Sequence, residues 1–431
     1  MNISRLFASN IIWRGTYLFT SLVLTVMMSR YLQAEVTGAL FYFISLLTLI
    51  LIVVSFSMES SITYFVSSGK ISNGKMQSFA LVYTFIVSII FIPVSFLLFG
   101  AEHVFADESR VILYAVLFVA GNLLTTFYNA LYTANGNFFT PNLIFIILNS
   151  SLIILLLLSD HKIIETSSSY FIFLFFLSQF IQGLLAAIVY GRKYVLPFSS
   201  GFPGLANIRM IFIYSGMAYI ANLVFFLVTR LDYWLIEWYV KNDALLGNYI
   251  QASRLVQLFQ MLPVILAAAI FPVAAAGHVT HMKESILKLS RIVVSAYAIV
   301  VLLLVVSGQW LFPFVFGDSF NRMYDVFLLL IPGLMALTML ALLSPFFAAV
   351  NRLSVNVVSS LVGLAVIIPV NVWLIPWLGI RGAAIASSAG YAAAFLYSFF
   401  HFRKESGAGI HQMLFVRTAD IQFLKNILGK L

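Results

Sequence analysis

Apolar runs of about twenty residues follow one another along almost the whole chain, with only short polar breaks between them. No other feature constrains the fold as tightly. A run of this length crosses the hydrocarbon of a bilayer as a helix, because backbone groups left unpaired in lipid are too costly for any open structure. Residues are 62% hydrophobic and 9% charged, and mean hydropathy is +1.03, whereas a soluble domain carries about 25% charged residues. The balance excludes a soluble globular protein. The chain has no cysteine, which excludes disulfides and thiol chemistry.

Segmentation predicts an all-α polytopic membrane protein of about twelve transmembrane helices. Six fall at roughly 11–29, 38–58, 79–99, 111–131, 141–158 and 169–190. Six more fall at roughly 209–239, 244–276, 292–316, 325–350, 355–377 and 380–402, the 209–239 helix being interrupted by Arg230 and Asp232. The first run contains Arg14 and is followed by no small-residue cleavage pattern, so it reads as a retained span. Pro197, Gly201, Pro203 and Gly204 mark a linker at the midpoint. The expected organisation is an N-terminal six-helix lobe (1–196), a cytoplasmic linker (197–208), a C-terminal six-helix lobe (209–403) and a cytoplasmic tail (404–431). Within the tail, Gly409–Leu431 has the composition of either a surface-lying amphipathic helix or a partly ordered end.

Charge predicts orientation. With the N-terminus in the cytoplasm, the inner segments collect Arg5, Lys70, Lys75, Arg192, Lys193, Arg209, Lys283, Lys288 and Arg291, and later Arg403, Lys404 and Arg417. The outer segments collect most of the acids, among them Glu102, Asp107, Glu108, Asp160, Glu165, Asp318 and Asp325. The positive-inside rule therefore places both termini in the cytoplasm. The net charge of +9 is accounted for by topology and a few intramembrane arginines, with no nucleic-acid partner required.

The two halves carry similar motifs. Tyr31–Phe43 (YLQAEVTGALFYF) matches Tyr239–Ala252 (YVKNDALLGNYIQA), and Ala130–Asn142 matches Pro345–Asn356 at a comparable offset. An even number of helices in each half predicts parallel repeats, with a site where they meet.

Charges inside the apolar runs are the second constraint. An arginine or aspartate at the centre of a spanning helix costs roughly 2.5–3.5 kcal/mol on the insertion scale, so such residues face a cavity, a partner or a substrate. Arg14, Arg230, Asp232 and Arg254 occupy such positions. Asn10, Arg14, Tyr17 and Ser21 make one narrow stripe on the first helix, and Asn248, Gln251, Arg254 and Gln257 recur in successive turns of the eighth. On the second helix Ser45, Thr48, Ser55 and Glu59 share a face, and its hydroxyls read as interhelical hydrogen bonds. Arginines among amides read as the wall of a wet, basic cleft suited to an anion.

Several further motifs, taken in order along the chain, carry a family likeness: Ser29–Leu40, then RLDYWLI with GNYIQASRL, Pro263 and Pro272, then FGDSF (Phe316–Phe320), then Asn371–Ser387. Through them the chain resembles the multidrug/oligosaccharidyl-lipid/polysaccharide exporter superfamily, and within it the O-antigen or repeat-unit flippases (Wzx type). The resemblance implies two six-helix parallel repeats around a central cavity. It further implies flipping of a polyprenyl-diphosphate-linked oligosaccharide from the cytoplasmic to the periplasmic leaflet of a bacterial inner membrane, by alternating access and without catalysis. Other polysaccharide-assembly enzymes and membrane lipids are the partners it implies.

For such a substrate Arg14, Arg230 and Arg254 are the expected diphosphate contacts, since the guanidinium fork stays charged and bonds phosphate oxygens in pairs. Tyr17, Asn222, Asn248 and Gln251 complete the expected substrate set, and Arg30 and Arg381 lie near the outer rim. A structural ion pair with Asp232 or another acid at a helix end is the alternative for Arg230, and snorkelling to the cytoplasmic surface is the alternative for Arg14. Asp232 and Glu59 are the acids placed to couple movement to a proton or sodium gradient. No cofactor is expected: there is no GxxxxGK[ST] loop, and the six histidines form no ligand cluster. Pro263, Pro272, Pro332 and Pro345 are expected to bend the eighth and tenth helices. Two alternatives are a cation-coupled multidrug antiporter, which needs a carboxylate-rich cavity, and a membrane-embedded polymerase, which needs a long outer loop.

Overall fold

The computed structural model describes residues 3–99, 108–195, 201–275, 279–350, 352–415, 417 and 420. All regular structure among them is helical: α1 (Ile3–Ser55), α2 (Met58–Ser67), α3 (Asn73–Phe99), α4 (Glu108–Ala134), α5 (Phe139–Asp160), α6 (Ser168–Tyr194), α7 (Leu205–Val240), α8 (Asp243–Ala275), α9 (Val279–Phe316), α10 (Met323–Ala349), α11 (Leu353–Leu378), α12 (Ile380–Ser406) and the one-turn α13 (His411–Leu414). A 3-10 turn, Asp318–Phe320, follows α9. Ten helices among the described residues are long and apolar enough to cross a membrane. The protein is a polytopic membrane protein.

The observed elements depart from the sequence expectation at several places, and α9 starts at Val279 where 292 was expected. The first two expected spans are one 53-residue helical run, α1, broken at Gln33 (φ 65°, ψ 172°) and not joined by a loop. The second span ends in two consecutive left-handed residues, Phe56 and Ser57, after which the unexpected α2 sets off in a new direction. The expected interruption of the 209–239 helix is absent: α7 runs through Arg230 and Asp232 and starts at Leu205, so 205–208 of the expected linker are its first turn. Residues 196–200 of that linker, the outer 100–107 loop and most of the expected amphipathic tail lie outside the described residues. The interior prolines do lie within helices, Pro332 and Pro345 in α10 and Pro263 and Pro272 in α8.

Two compact units divide the chain. One holds Met1–Gln33 and Ala39–Leu223; the other holds Ala34–Gly38 and Val224–Leu431, so the division falls inside α7. In the first unit Gly121 on α4 and Gly183 on α6 let the two backbones touch. A Cβ on Gly183 would lie 2.3 Å from the Gly121 carbonyl oxygen. Small residues serve helix contacts in lipid this way, where apolar side chains gain nothing by leaving a solvent that is itself apolar. Around this contact Met58, Ile62, Phe127, Tyr128, Tyr132 and Tyr190 are fully buried.

In the second unit α11 and α12 form a hairpin that turns at Gly379 (φ 56°). They pack at Gly363 and Gly390, and α10 joins them where a Cβ on Gly333 would meet Ser388 Oγ at 2.8 Å. The five residues Ala34–Gly38 belong here because Gly38 is pressed against α8, where a Cβ would fall 1.9 Å from the Asp243 carbonyl oxygen.

Candidate functional site

Asp232 is the most deeply buried acid within a span among the described residues, 1% exposed on α7. Its carboxylate collects donors from three helices. Oδ1 accepts the Tyr233 backbone N–H at 3.0 Å. Oδ2 accepts the hydroxyl of Tyr249 on α8 and that of Ser387 on α12, the latter at 2.9 Å. A carboxylate placed in a helical bundle needs such donors, since an ionised group without them would not remain in an apolar interior.

Arg230, two residues earlier, is bound by neutral groups and not by the Asp232 carboxylate. Its Nη1 donates to the hydroxyl of Tyr233, and Nη2 donates to Oε1 of Gln257 on α8 at 2.8 Å. The guanidinium also sits 5.0 Å from the centre of the Tyr233 ring. Gln257 is oriented in turn by its own bond to Ser253 Oγ at 3.3 Å. Arg230 is half-buried. Its positive charge is therefore held in place without a carboxylate in direct contact, which is the arrangement that favours an incoming anion.

Arg254 lies one turn before Gln257 on α8 and is half-buried. Gln251 is 1% exposed, and its amide nitrogen has no hydrogen-bond partner among the described residues. Asn248 is placed differently from a cleft-lining residue. Its Nδ2 donates to the Ala244 and Ser319 carbonyls, and its Oδ1 accepts the Arg322 N–H at 2.9 Å, so the amide is fully used in fastening the FGDSF turn to α8. The Ala34 N–H reaches Ser319 Oγ at 3.0 Å in the same turn. Arg381 is paired with Asp325, whose carboxylate also lies 3.9 Å from Arg322.

The remaining expected residues belong to the first unit. Arg14 is exposed on α1. Tyr17 is half-buried, its ring 4.9 Å from that of Phe145. Ser21 of the same stripe accepts a hydrogen bond from Asn149 on α5 at 3.0 Å. The side chain of Asn10 lies outside the described residues. Ser45, Thr48 and Ser55 each donate to a carbonyl three or four residues back in their own helix. Asn222, near the middle of α7, donates to Ser57 Oγ at 3.0 Å and to Glu59 Oε1 at 3.3 Å, bringing two of the expected residues together.

Sequence reasoning missed Ser387 as a partner of Asp232, and it missed Asn371, a fully buried amide on α11 with neither its oxygen nor its nitrogen bonded among the described residues. The available signal was a polar residue inside an apolar run. Which acid it would meet, 155 positions away for Ser387, had no local mark.

Helices of this number and length, with buried ionic and amide groups inside them, define a polytopic all-helical membrane fold. The solved structures agree on that fold. The inward closed conformation of the lipid II flippase MurJ superposes with a TM-score of 0.73 at 16% identity, over 95% of this chain and 89% of that one. An inward-facing multidrug resistance MATE family transporter of the MOP superfamily follows at 0.65 and 14%, over 91% and 94%. A MOP superfamily transporter from Pyrococcus furiosus, noted for the reverse polarity of its binding pocket, gives 0.63 and 14%, over 94% and 95%. No curated protein sequence matches the chain. The family model for polysaccharide biosynthesis proteins matches residues 4–278, and the chain belongs to that family.

Proposed function

We propose that this protein moves a polyprenyl-diphosphate-linked oligosaccharide, an O-antigen or capsular repeat unit, from the cytoplasmic to the periplasmic leaflet of a bacterial inner membrane. The observation that carries the reading is Arg230: a guanidinium within a spanning helix, braced by the neutral side chains of Tyr233 and Gln257. A diphosphate supplies the missing charge and the paired acceptors that a guanidinium prefers. Arg254 on α8 serves the same anion in this reading, Gln251 offers it a free amide donor, and Arg14 on α1 is a separate candidate contact for the cargo. Membership of a polysaccharide biosynthesis family and a fold shared with a lipid II flippase support the choice of a lipid-linked glycan as cargo. Both termini are cytoplasmic in this reading, and the partners are membrane lipids and the enzymes that build and extend the glycan.

Coupling to a proton or sodium gradient is assigned to Asp232. Its oxygens tie α7, α8 and α12 together through Tyr249 and Ser387. Any change in the charge of that carboxylate alters bonds on three helices at once, which is what a coupled conformational step requires.

Cells lacking the protein should accumulate glycan-bearing lipid in the inner leaflet and lose surface polysaccharide. Wild-type protein should restore both, and Arg230→Gln of equal abundance should restore neither. Restoration by Arg230→Gln to the wild-type level would remove Arg230 from the transport site.

A further inference from the structure

Phe56 and Ser57 take left-handed backbone angles in succession (φ 48° and 49°), although neither is glycine. Strained non-glycine residues of this kind persist where the surrounding structure holds them, and they gather at functional sites. Here the strain turns the chain out of α1 so that Glu59, in the first turn of α2, meets the middle of α7. The N-terminal end of a helix is a favourable place for its negative charge.

The meeting is built from few groups. Asn222 donates to both Ser57 Oγ and Glu59 Oε1, at 3.0 and 3.3 Å. Glu59 Oε2 is buried and has no partner among the described residues. Asn222 itself is exposed, and its carbonyl oxygen is the acceptor left over once both of these bonds are made. Beside them Phe56 and Tyr219 stack with centroids 4.7 Å apart and planes 21° apart, and both rings are only half-buried. All of these residues lie in the first compact unit, so the cluster needs nothing from the second.

We infer that Glu59, Asn222, Phe56 and Tyr219 form a subsite for a sugar ring of the transported glycan, separate from the arginines that serve its diphosphate. A sugar presents hydroxyl donors at its edge and a C–H face above and below. The cluster presents the complement: a carboxylate oxygen and an amide oxygen with no donor, next to bare aromatic surface. A buried acceptor left unsatisfied is costly, so the first donor to arrive is bound with the strength of a charge-assisted bond. A bare metal cation is a poorer match, because the four side-chain oxygens of Ser57, Glu59 and Asn222 fall short of the six or more that hard cations take. The inference rests on the reading of the cargo as a lipid-linked glycan.

The test is direct binding to the purified full-length protein in detergent of two probes. One is the polyprenyl-diphosphate oligosaccharide isolated from the cells that make this protein; the other is polyprenyl diphosphate without sugar. Wild-type protein is expected to bind the glycan-bearing lipid more tightly. Glu59→Gln, which keeps size and hydrogen-bonding capacity, should cut that advantage by about tenfold while binding the sugar-free lipid as wild type does. Tyr219→Leu should cut it as well, without touching the carboxylate. An advantage that survives in both variants overturns the subsite and leaves the diphosphate reading standing. Equal binding of the two probes by wild type also overturns the subsite alone, whereas binding of neither removes the proposed cargo with it. If Glu59→Gln keeps the advantage but loses the pH dependence of transport, Glu59 is a coupling group and the subsite is wrong.

Discussion

Gly38 and Gly247 pack reciprocally, each set against the carbonyl of the residue four positions before the other. A Cβ on Gly38 would lie 1.9 Å from the Asp243 oxygen, and a Cβ on Gly247 would lie 2.1 Å from the Ala34 oxygen. These glycines are the ones shared by the two matching motifs, YLQAEVTGAL and YVKNDALLGNY. The similarity between them thus has a physical meaning: two like segments cross at contact distance, and only glycine fits at either crossing point. The adjoining FGDSF turn is bonded to the same place through Ala34 and Asn248. Residues that looked like a family signature are, at this junction, a packing joint.

Gly38→Ala should therefore lower thermal stability in detergent by an amount typical of overpacking, about 1–3 kcal/mol or more, because the obstructing atoms are all backbone. Gly216→Ala is the control. Its Cβ would meet nothing within 4 Å, and in a helix the change should be neutral or mildly stabilising. A melting curve of Gly38→Ala that overlays the wild type would contradict the close approach.

Asp232→Asn keeps the size of the side chain but turns an acceptor-only group toward the hydroxyls of Tyr249 and Ser387 into one that carries its own donors. The loss expected for a buried charge-assisted bond is about 1.5–3 kcal/mol, against about 1 kcal/mol for Ser387→Ala. Because both hydroxyls share Oδ2, a double-mutant cycle on Tyr249→Phe and Ser387→Ala should show a clear interaction energy. Strict additivity in that cycle would mean the two bonds are independent.

Arg230→Lys tests the fork. Lysine keeps the charge but replaces the planar donor pair that spans Tyr233 and Gln257 with a point charge. Affinity for polyprenyl diphosphate should fall by about tenfold, and Gln257→Leu should weaken it less, since only the brace is lost. Equal binding by wild type and Arg230→Lys, measured by titration at fixed salt, would show that charge alone is read.

The tail, beyond the last apolar helix, offers a pH-dependent contact. Arg291 near the start of α9 makes two bonds to Asp420, from Nε at 2.6 Å and from Nη2 at 2.8 Å, and a third to the Gln412 carbonyl at 3.0 Å. The Asp420 side chain is 1% exposed. The bonds from Arg291 hold its carboxyl below the ordinary value. A depressed carboxyl contributes stability that is complete above the unfolded value of about 4 and is lost as pH falls through the lowered folded value. The chain has no cysteine, so His411→Cys accepts a single spin label in the tail. Label mobility should stay flat from neutral pH down to about 4, then rise. In Asp420→Asn it should be high already at neutral pH.

Much of the fold was legible because lipid leaves few options. Apolar run length located the spans, and the lone charges Arg230 and Asp232 were recognisable as residues needing partners. The partners themselves were not legible. Tyr249 and Ser387 lie 17 and 155 positions from Asp232, and periodicity marks a polar face without saying what faces it. The same limit explains Asn248, which belongs to the same polar series in successive turns as Arg254 but fastens the Ser319 turn, and the hydroxyls of Ser45 and Thr48, which bond their own helix. The α1 break at Gln33 and the left-handed Phe56–Ser57 pair carry no glycine or proline to announce them.

The most direct measurement is translocation of the isolated polyprenyl-diphosphate oligosaccharide in proteoliposomes, with wild type and Arg230→Gln inserted to equal density. The account predicts that wild type makes the glycan accessible on the opposite face under an imposed ion gradient, and that Arg230→Gln does so at least about tenfold more slowly. A wild-type protein that leaves the lipid where it was placed, yet exports an organic cation from the same vesicles, would contradict the account and make the protein a drug antiporter.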